Sequence, residues 1–171
     1  AILGYADTGG RGIIAASEDT GAFSDYVFGD GMISEVTSGA IADGSWGAKP
    51  SPSAELQAAW EVVATAGGVD GSGVYSGESY DAMALIILAA QAAGSTDRAA
   101  IQAEVMNVAN APGNKCHAGK LGECLKMISG GLPVDYVGAT GVELDAVGTP
   151  NGSYAEQEVI AGAFTTVTVH N

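Results

Sequence analysis

Two cysteines eight positions apart with a histidine between them, and an aspartate that two tyrosines could flank, are the residues of this 171-residue chain with chemistry to offer. Cys116 and Cys124 lie in the polar, glycine-rich stretch Pro112-Gly-Asn-Lys-Cys-His-Ala-Gly-Lys-Leu-Gly-Glu-Cys124, where buried apolar packing is a poor explanation for a thiol. A disulfide closing so short a loop would restrict the unfolded chain, a contribution of about 2–3 kcal/mol, and it would imply an oxidising compartment. A metal site made of Cys116, His117 and Cys124 is the weaker competing reading. Adjacent side chains rarely converge on one ion, and a fourth ligand is not in evidence.

Hydrolytic machinery finds little support. The only two histidines are His117, in the polar cysteine loop, and His170, the penultimate residue; each reads as a solvated side chain rather than a general base. No Gly-x-Ser-x-Gly elbow occurs. Gly71-Ser-Gly73 followed by Ser76-Gly77 misses the third glycine of a dinucleotide fingerprint, and Gly9-Gly10-Arg11-Gly12 lacks the Lys-Ser/Thr of a phosphate loop. Asp30 and Asp70 do not sit in the spacing that gathers oxygens around calcium. Asn151-Gly152-Ser153 is formally a glycosylation sequon and more simply a turn.

The aspartate and the tyrosines are better placed. In a parallel sheet, ligands bind beyond the carboxyl ends of the strands. Tyr5 closes the first expected strand, Asp30 follows the second, and Tyr75 stands at the mouth of the loop that opens the longest helix. A carboxylate between two phenol rings suits an ammonium group, by ion pairing and cation–π attraction. The plainer alternative, favoured by spacing alone, is that Asp30 starts a turn and the tyrosines pack.

The elements that must position these residues follow from pattern. Residues 1–5 read as a short buried strand, the cap and turn residues 7–10 precede a helix over about 10–19, and Gly21 ends it. Tyr26-Val-Phe28 is a second strand, stopped by Gly29-Asp-Gly31. Strand, helix, strand is the signature of a parallel sheet. A third short strand falls at 45–48. Ser53 caps a helix to about Ala66 with Leu56, Ala59, Trp60 and Val63 on one face. The helix over 76–93 is apolar on most sides and expected to be buried on most sides, Gly94 ends it, and Ser95-Thr96-Asp97 starts another with Ile101, Val105, Met106 and Val108 inward. Segments 141–145 and 158–161 read as sheet elements around a turn at 148–152.

Composition bounds the class. With 47% apolar residues, the chain can bury one domain-sized core, so residues 1–171 read as a single domain. Six Lys and Arg against 20 Asp and Glu give a net charge of −14, which repels phosphate backbones and anionic membrane surfaces; no nucleic-acid partner is expected on that ground. The longest apolar run, 82–90, is well short of the ~20 residues of a membrane-spanning helix. The chain opens directly on an apolar stretch with no targeting segment, as a piece of something longer would.

Taken in order, these residues resemble the type I periplasmic solute-binding proteins of ABC transporters, the branched-chain amino-acid group. The resemblance is carried by Leu3-Gly-Tyr-Ala-Asp7 before a helix, Tyr26-Val-Phe-Gly-Asp-Gly-Met32, Ser72-Gly-Val-Tyr75 leading into Ser79-Tyr-Asp-Ala-Met-Ala-Leu85, Ala93-Gly-Ser-Thr-Asp97, and Tyr136-Val-Gly-Ala-Thr-Gly-Val-Glu-Leu-Asp145. It implies an α/β fold, a three-layer parallel-sheet lobe, corresponding mainly to the C-terminal of two lobes, with the N-terminal lobe missing. It implies ligand-binding roles for Tyr5, Asp30, Gly31 and Tyr75, with Asp30 toward the ligand's α-ammonium and one methylene shorter than the family's glutamate. The Cys116–Cys124 loop is similar to an insertion in a subset of the family. The function so implied is non-enzymatic and extracytoplasmic, in the periplasm: capture of an amino acid or similar small molecule, without cofactor or metal, for delivery to an ABC permease in the membrane. A ligand-sensing receptor or regulator domain of the same fold is the alternative, and an α/β hydrolase or nucleotide-binding domain the third.

Overall fold

The structure, a computed structural model, describes residues 1–33 and 42–170. In chain order the elements are β1 (Ile2–Tyr5), α1 (Arg11–Thr20), β2 (Val27–Gly31), β3 (Trp46–Pro50), α2 (Ala54–Ala66), α3 (Ser76–Ala93) and α4 (Arg98–Ala109). They continue with β4 (Asn114–His117), α5 (Leu121–Ser129), β5 (Val134–Gly138), β6 (Tyr154–Ile160) and β7 (Ala163–His170). Two compact units result: Ala1–Ser51 with Ser153–Asn171, and Pro52–Gly152. No helix among the described residues is long and apolar enough to cross a membrane.

The first unit is a five-stranded sheet in the order β1-β2-β3-β6-β7. The expected parallel sheet is its first half: β1, β2 and β3 run parallel, and β6 then pairs antiparallel with β3 and β7. One face is a core of Leu3, Phe28 and Val159 with Ile14 of α1, joined by Tyr26 and Met32. Phe164 of β7 meets the Phe28 ring edge-on at 5.4 Å. Helix α1 starts without a side-chain cap, contrary to the cap expected from Asp7 and Thr8, because the chain enters it through the turn Ala6–Gly10; Gly21 ends it in the left-handed region at φ 67° as expected. The strand expected to stop at Phe28 instead continues through Gly29-Asp30-Gly31. Those glycines mark close approach, not termination: a Cβ on Gly29 would lie 3.2 Å from the Gly4 carbonyl oxygen, and one on Gly31 2.6 Å from the Tyr5 ring.

The second unit pairs β4 and β5 in parallel and packs α3, α4 and α5 around a core of Leu85, Leu88, Ala89, Val108, Val134 and Tyr136. Ser53 caps α2 by accepting from the Leu56 N–H at 3.4 Å, and Asp97 caps α4 by accepting from Ala99 and Ala100 at 3.0 and 3.1 Å. Burying a side chain such as Leu88, which is fully enclosed, contributes about 1.5–3 kcal/mol. Three expectations are corrected here. Helix α3 is buried on one side only: Ala84, Leu85, Leu88 and Ala89 face the core, while Met83 and Ile86 are 58% and 49% exposed. Residues 141–145 are irregular rather than a strand, with an isolated bridge from Leu144 to Pro150. Finally, the cysteine segment is not a polar surface loop. It is strand β4 followed by helix α5, and Cys116 and Cys124, joined as a disulfide, are both buried in the core.

Candidate functional site

The carboxyl edge of the parallel strands carries the candidate residues of the first unit. Tyr5 ends β1 and is paired with Gly31 of β2, the residue after Asp30. Because Gly31 has no side chain, the Tyr5 ring lies directly over its backbone, 2.6 Å from where a Cβ would stand. The ring is 67% exposed, so it forms a wall open to solvent rather than core packing. Asp30 is half-buried, and its Oδ1 accepts the Gly31 N–H at 2.8 Å. That bond fixes the carboxylate at the strand end, and a carboxylate is a group that suits a cationic or N–H-bearing partner. The structure therefore brings Tyr5, Asp30 and Gly31 together. The plainer reading, in which Asp30 opens a turn, holds in part: its carbonyl accepts the Ile33 N–H at 3.1 Å.

Tyr75 belongs to the second unit. It sits immediately before α3 at φ 64° and ψ 11°, a left-handed conformation for a non-glycine residue, and its ring is 42% exposed. Such a conformation costs about 1–2 kcal/mol and persists where the surroundings enforce it, commonly at functional positions. Here the Ser79 N–H binds the Tyr75 carbonyl at 2.9 Å and the Ser76 N–H binds that of Gly73 at 3.1 Å. The Ser76 hydroxyl donates to the Asp70 carbonyl at 3.1 Å and accepts from the Trp60 indole at 3.2 Å. Nearby, the Ser72 hydroxyl and amide hold the Asp70 carboxyl below the ordinary carboxylate range.

Sequence reasoning missed a buried carboxylate. Asp81, immediately before the apolar run of α3, is enclosed by protein. Its Oδ1 accepts the Tyr136 hydroxyl at 2.7 Å and the Ala139 N–H at 2.8 Å; its Oδ2 accepts the Thr140 N–H and hydroxyl at 2.9 and 2.7 Å. Burial, then the Asp81 charge, pushes the Tyr136 phenol far above its usual range. The neighbouring Tyr80 hydroxyl accepts the Gly119 N–H at 3.0 Å. Two consecutive residues of α3 thus pin the loops that leave the carboxyl ends of β4 and β5. The only sequence signal was an aspartate at the head of an apolar run, with partners 55–59 positions away.

The competing metal reading of Cys116, His117 and Cys124 is overturned by the disulfide, which uses both thiols. His117 is exposed on β4, and His170 is an exposed partner of Glu156, 3.0 Å away. Among the described residues no three His, Cys, Asp or Glu side chains are grouped to hold a metal ion.

No protein-family model and no curated protein matches the sequence. The chain has the α/β fold of solute-binding proteins. The structure of a leucine-binding protein, LivK, from Thermotoga maritima MSB8 matches it with a TM-score of 0.62 and 18% identity, over 99% of this chain and 43% of that one. An ABC transporter substrate-binding protein from Desulfitobacterium hafniense aligns at a TM-score of 0.49 and 17% identity, over 97% of this chain and 43% of that chain. The chain thus spans less than half the length of either solved protein.

Proposed function

We propose that this chain is part of a solute-binding protein that captures an amino acid or a similar small polar ligand for an ABC permease. The observation that carries the reading is the Tyr5 ring laid over Gly31 beside the Asp30 carboxylate, at the carboxyl edge of parallel strands, in a fold shared with a leucine-binding protein. Asp30 pairs with the ligand's ammonium, and Tyr5 supplies an apolar, electron-rich wall beside that charge. The sequence resemblance gives Tyr75 a ligand-binding role, which Tyr75→Ala tests by calorimetry: weakened affinity supports that role and unchanged affinity removes it. The ligand's carboxylate is held by the lobe that the resemblance places outside this chain. Ligand binding stabilises a closed form by differential contacts, and the permease recognises that form. The Cys116–Cys124 bridge supports an extracytoplasmic, oxidising location. No catalytic step is assigned.

A thermal-shift screen of L-amino acids against the complete protein identifies the ligand, and calorimetry then measures Asp30→Ala. The expected loss is about 2 kcal/mol, roughly thirty-fold in Kd, because a charged group is left without its partner. Unchanged affinity removes Asp30 from the site, and with it the main support for an amino-acid ligand.

A further inference from the structure

Strands β3, β6 and β7 turn a second set of side chains away from the core. Residues directly opposite each other on antiparallel strands share a face. The register sets Trp46 opposite Glu158, Ala48 opposite Glu156, and Pro50 opposite Tyr154, which is in turn opposite His170. The other face of β6 carries the buried Ala155 and Val159. On the outer face Trp46 and Tyr154 are 50% and 52% exposed, too open to be core packing. Between them lies a hollow of about 400 Å³, lined by these two residues with Ala48, Glu156 and His170. That volume falls within the range of small-molecule sites, which join aromatic walls to a few polar groups. The hollow depends on Ala48, whose methyl group leaves free the space that a longer side chain would fill.

We propose that this hollow is a binding site for an alkylated ammonium ion, with Trp46 and Tyr154 as its π-faces and Glu156 as its counter-ion. Aromatic faces attract cations, tryptophan most strongly. A carboxylate only accepts, so the His170 Nε2–H donates to Glu156 Oε2, at 3.0 Å, and holds that group on the rim. Glu158, across from Trp46, adds a second negative charge to the face. No Lys or Arg of β3, β6 or β7 opposes them, because strand alternation turns Lys49 to the other side. The degree of alkylation follows from counting donors. A primary ammonium brings three N–H groups and a guanidinium five, whereas the hollow offers one carboxylate and backbone that is already committed to the β3–β6 and β6–β7 ladders. An ammonium whose hydrogens are replaced by methyl groups asks only for negative charge and apolar or π surface, which is what the lining supplies. The site is separate from the Tyr5–Asp30 edge, which lies at the ends of β1 and β2, so this inference stands whether or not Asp30 holds a ligand.

The test is an NMR titration of the complete protein with choline, read on the Trp46 indole N–H, whose signal is assigned by its loss in Trp46→Phe. The buried Trp60 is the internal reference. The expected result is a saturable shift of the Trp46 signal with a Kd of roughly millimolar, while that of Trp60 stays still. Two further titrants separate charge from shape: 3,3-dimethylbutanol, choline's uncharged isostere, and methylammonium, charged but with three N–H donors, both bind more weakly than choline. Glu156→Gln keeps the shape of the rim and weakens choline about fivefold. Ala48→Leu fills the hollow and abolishes the shift with the unfolding midpoint unchanged. An isostere that binds as tightly as choline, methylammonium that binds more tightly, unaltered affinity in Glu156→Gln, or no saturable shift of Trp46 overturns the proposal.

Discussion

The two units solve the problem of placing polar groups at strand ends in opposite ways. In the Pro52–Gly152 unit the loops after β4 and β5 are fastened from behind: Asp81 takes four hydrogen bonds, Tyr80 takes a fifth, and a buried disulfide ties β4 to α5. In the sheet unit the Gly31 N–H bonds the Asp30 carboxylate, and Gly31 makes room for the Tyr5 ring, which is largely exposed. A fully satisfied buried carboxylate rigidifies its surroundings; the half-buried Asp30 beside a ring is where the proposed ligand group would sit. Polar groups that look alike in sequence thus divide into a fastening and a proposed receptor according to burial.

The largest expected effect lies on the fastened side. Asp81→Ala strands the Tyr136 hydroxyl and the Ala139 and Thr140 amides, and urea unfolding should show a loss of about 3–5 kcal/mol. Tyr136→Phe removes only one of those donors and should cost about 1 kcal/mol. If Asp81→Ala cost no more than Tyr136→Phe, the contrast between the units would fail. Next comes the disulfide: Cys116→Ser with Cys124→Ser should lower stability by about 2–3 kcal/mol, and native protein should resist thiol labelling because both sulfurs are bridged and buried. On the open side, Gly31→Ala forces a Cβ against the Tyr5 ring and the Gly4 carbonyl. A cost of about 1–3 kcal/mol by the same unfolding assay is expected, together with weakened ligand binding as the ring is displaced.

A smaller effect is pH-dependent. The Asp135 carboxylate, 2.7 Å away, raises the Lys115 ammonium above its ordinary value. A base whose pKa is higher in the folded state stabilises fully below its unfolded value and loses that contribution as pH rises through the folded one. Melting temperature should therefore fall on the alkaline side of the usual lysine range, and Lys115→Met should flatten that fall.

Much of the helical framework was legible because its signals are local. Ser53, Gly94 and Asp97 cap what they were expected to cap. Legibility failed where a residue's role depends on distant partners. Gly29 and Gly31 resemble a strand stop, yet their bareness answers to the neighbouring strand β1. Cys116 sits among Lys115 and His117, but strand alternation turns only the cysteine inward, and helix α5 turns Cys124 with Leu121 and Leu125 to the same core. Asp81 reads as a surface break in an apolar helix because nothing within a turn of it reveals Tyr136 or Thr140. Met83 and Ile86 were assigned to the core on composition, although one helix in a small unit has a single side to bury. Of the candidate site, the placement of Tyr5 and Asp30 at strand ends followed from pattern, and their adjacency through Gly31 came only with the strand register.

The central claim, that the edge formed by Tyr5, Asp30 and Gly31 receives the ammonium group of a small polar ligand, is tested most directly by NMR titration of the complete protein with L-leucine and the other amino acids. The Gly31 amide donates to the Asp30 carboxylate and so reports on that carboxylate's partner. The account predicts a saturable shift of the Gly31 amide and of the Tyr5 ring with at least one amino acid, abolished by Asp30→Ala. Saturable binding that leaves both signals unmoved would contradict it.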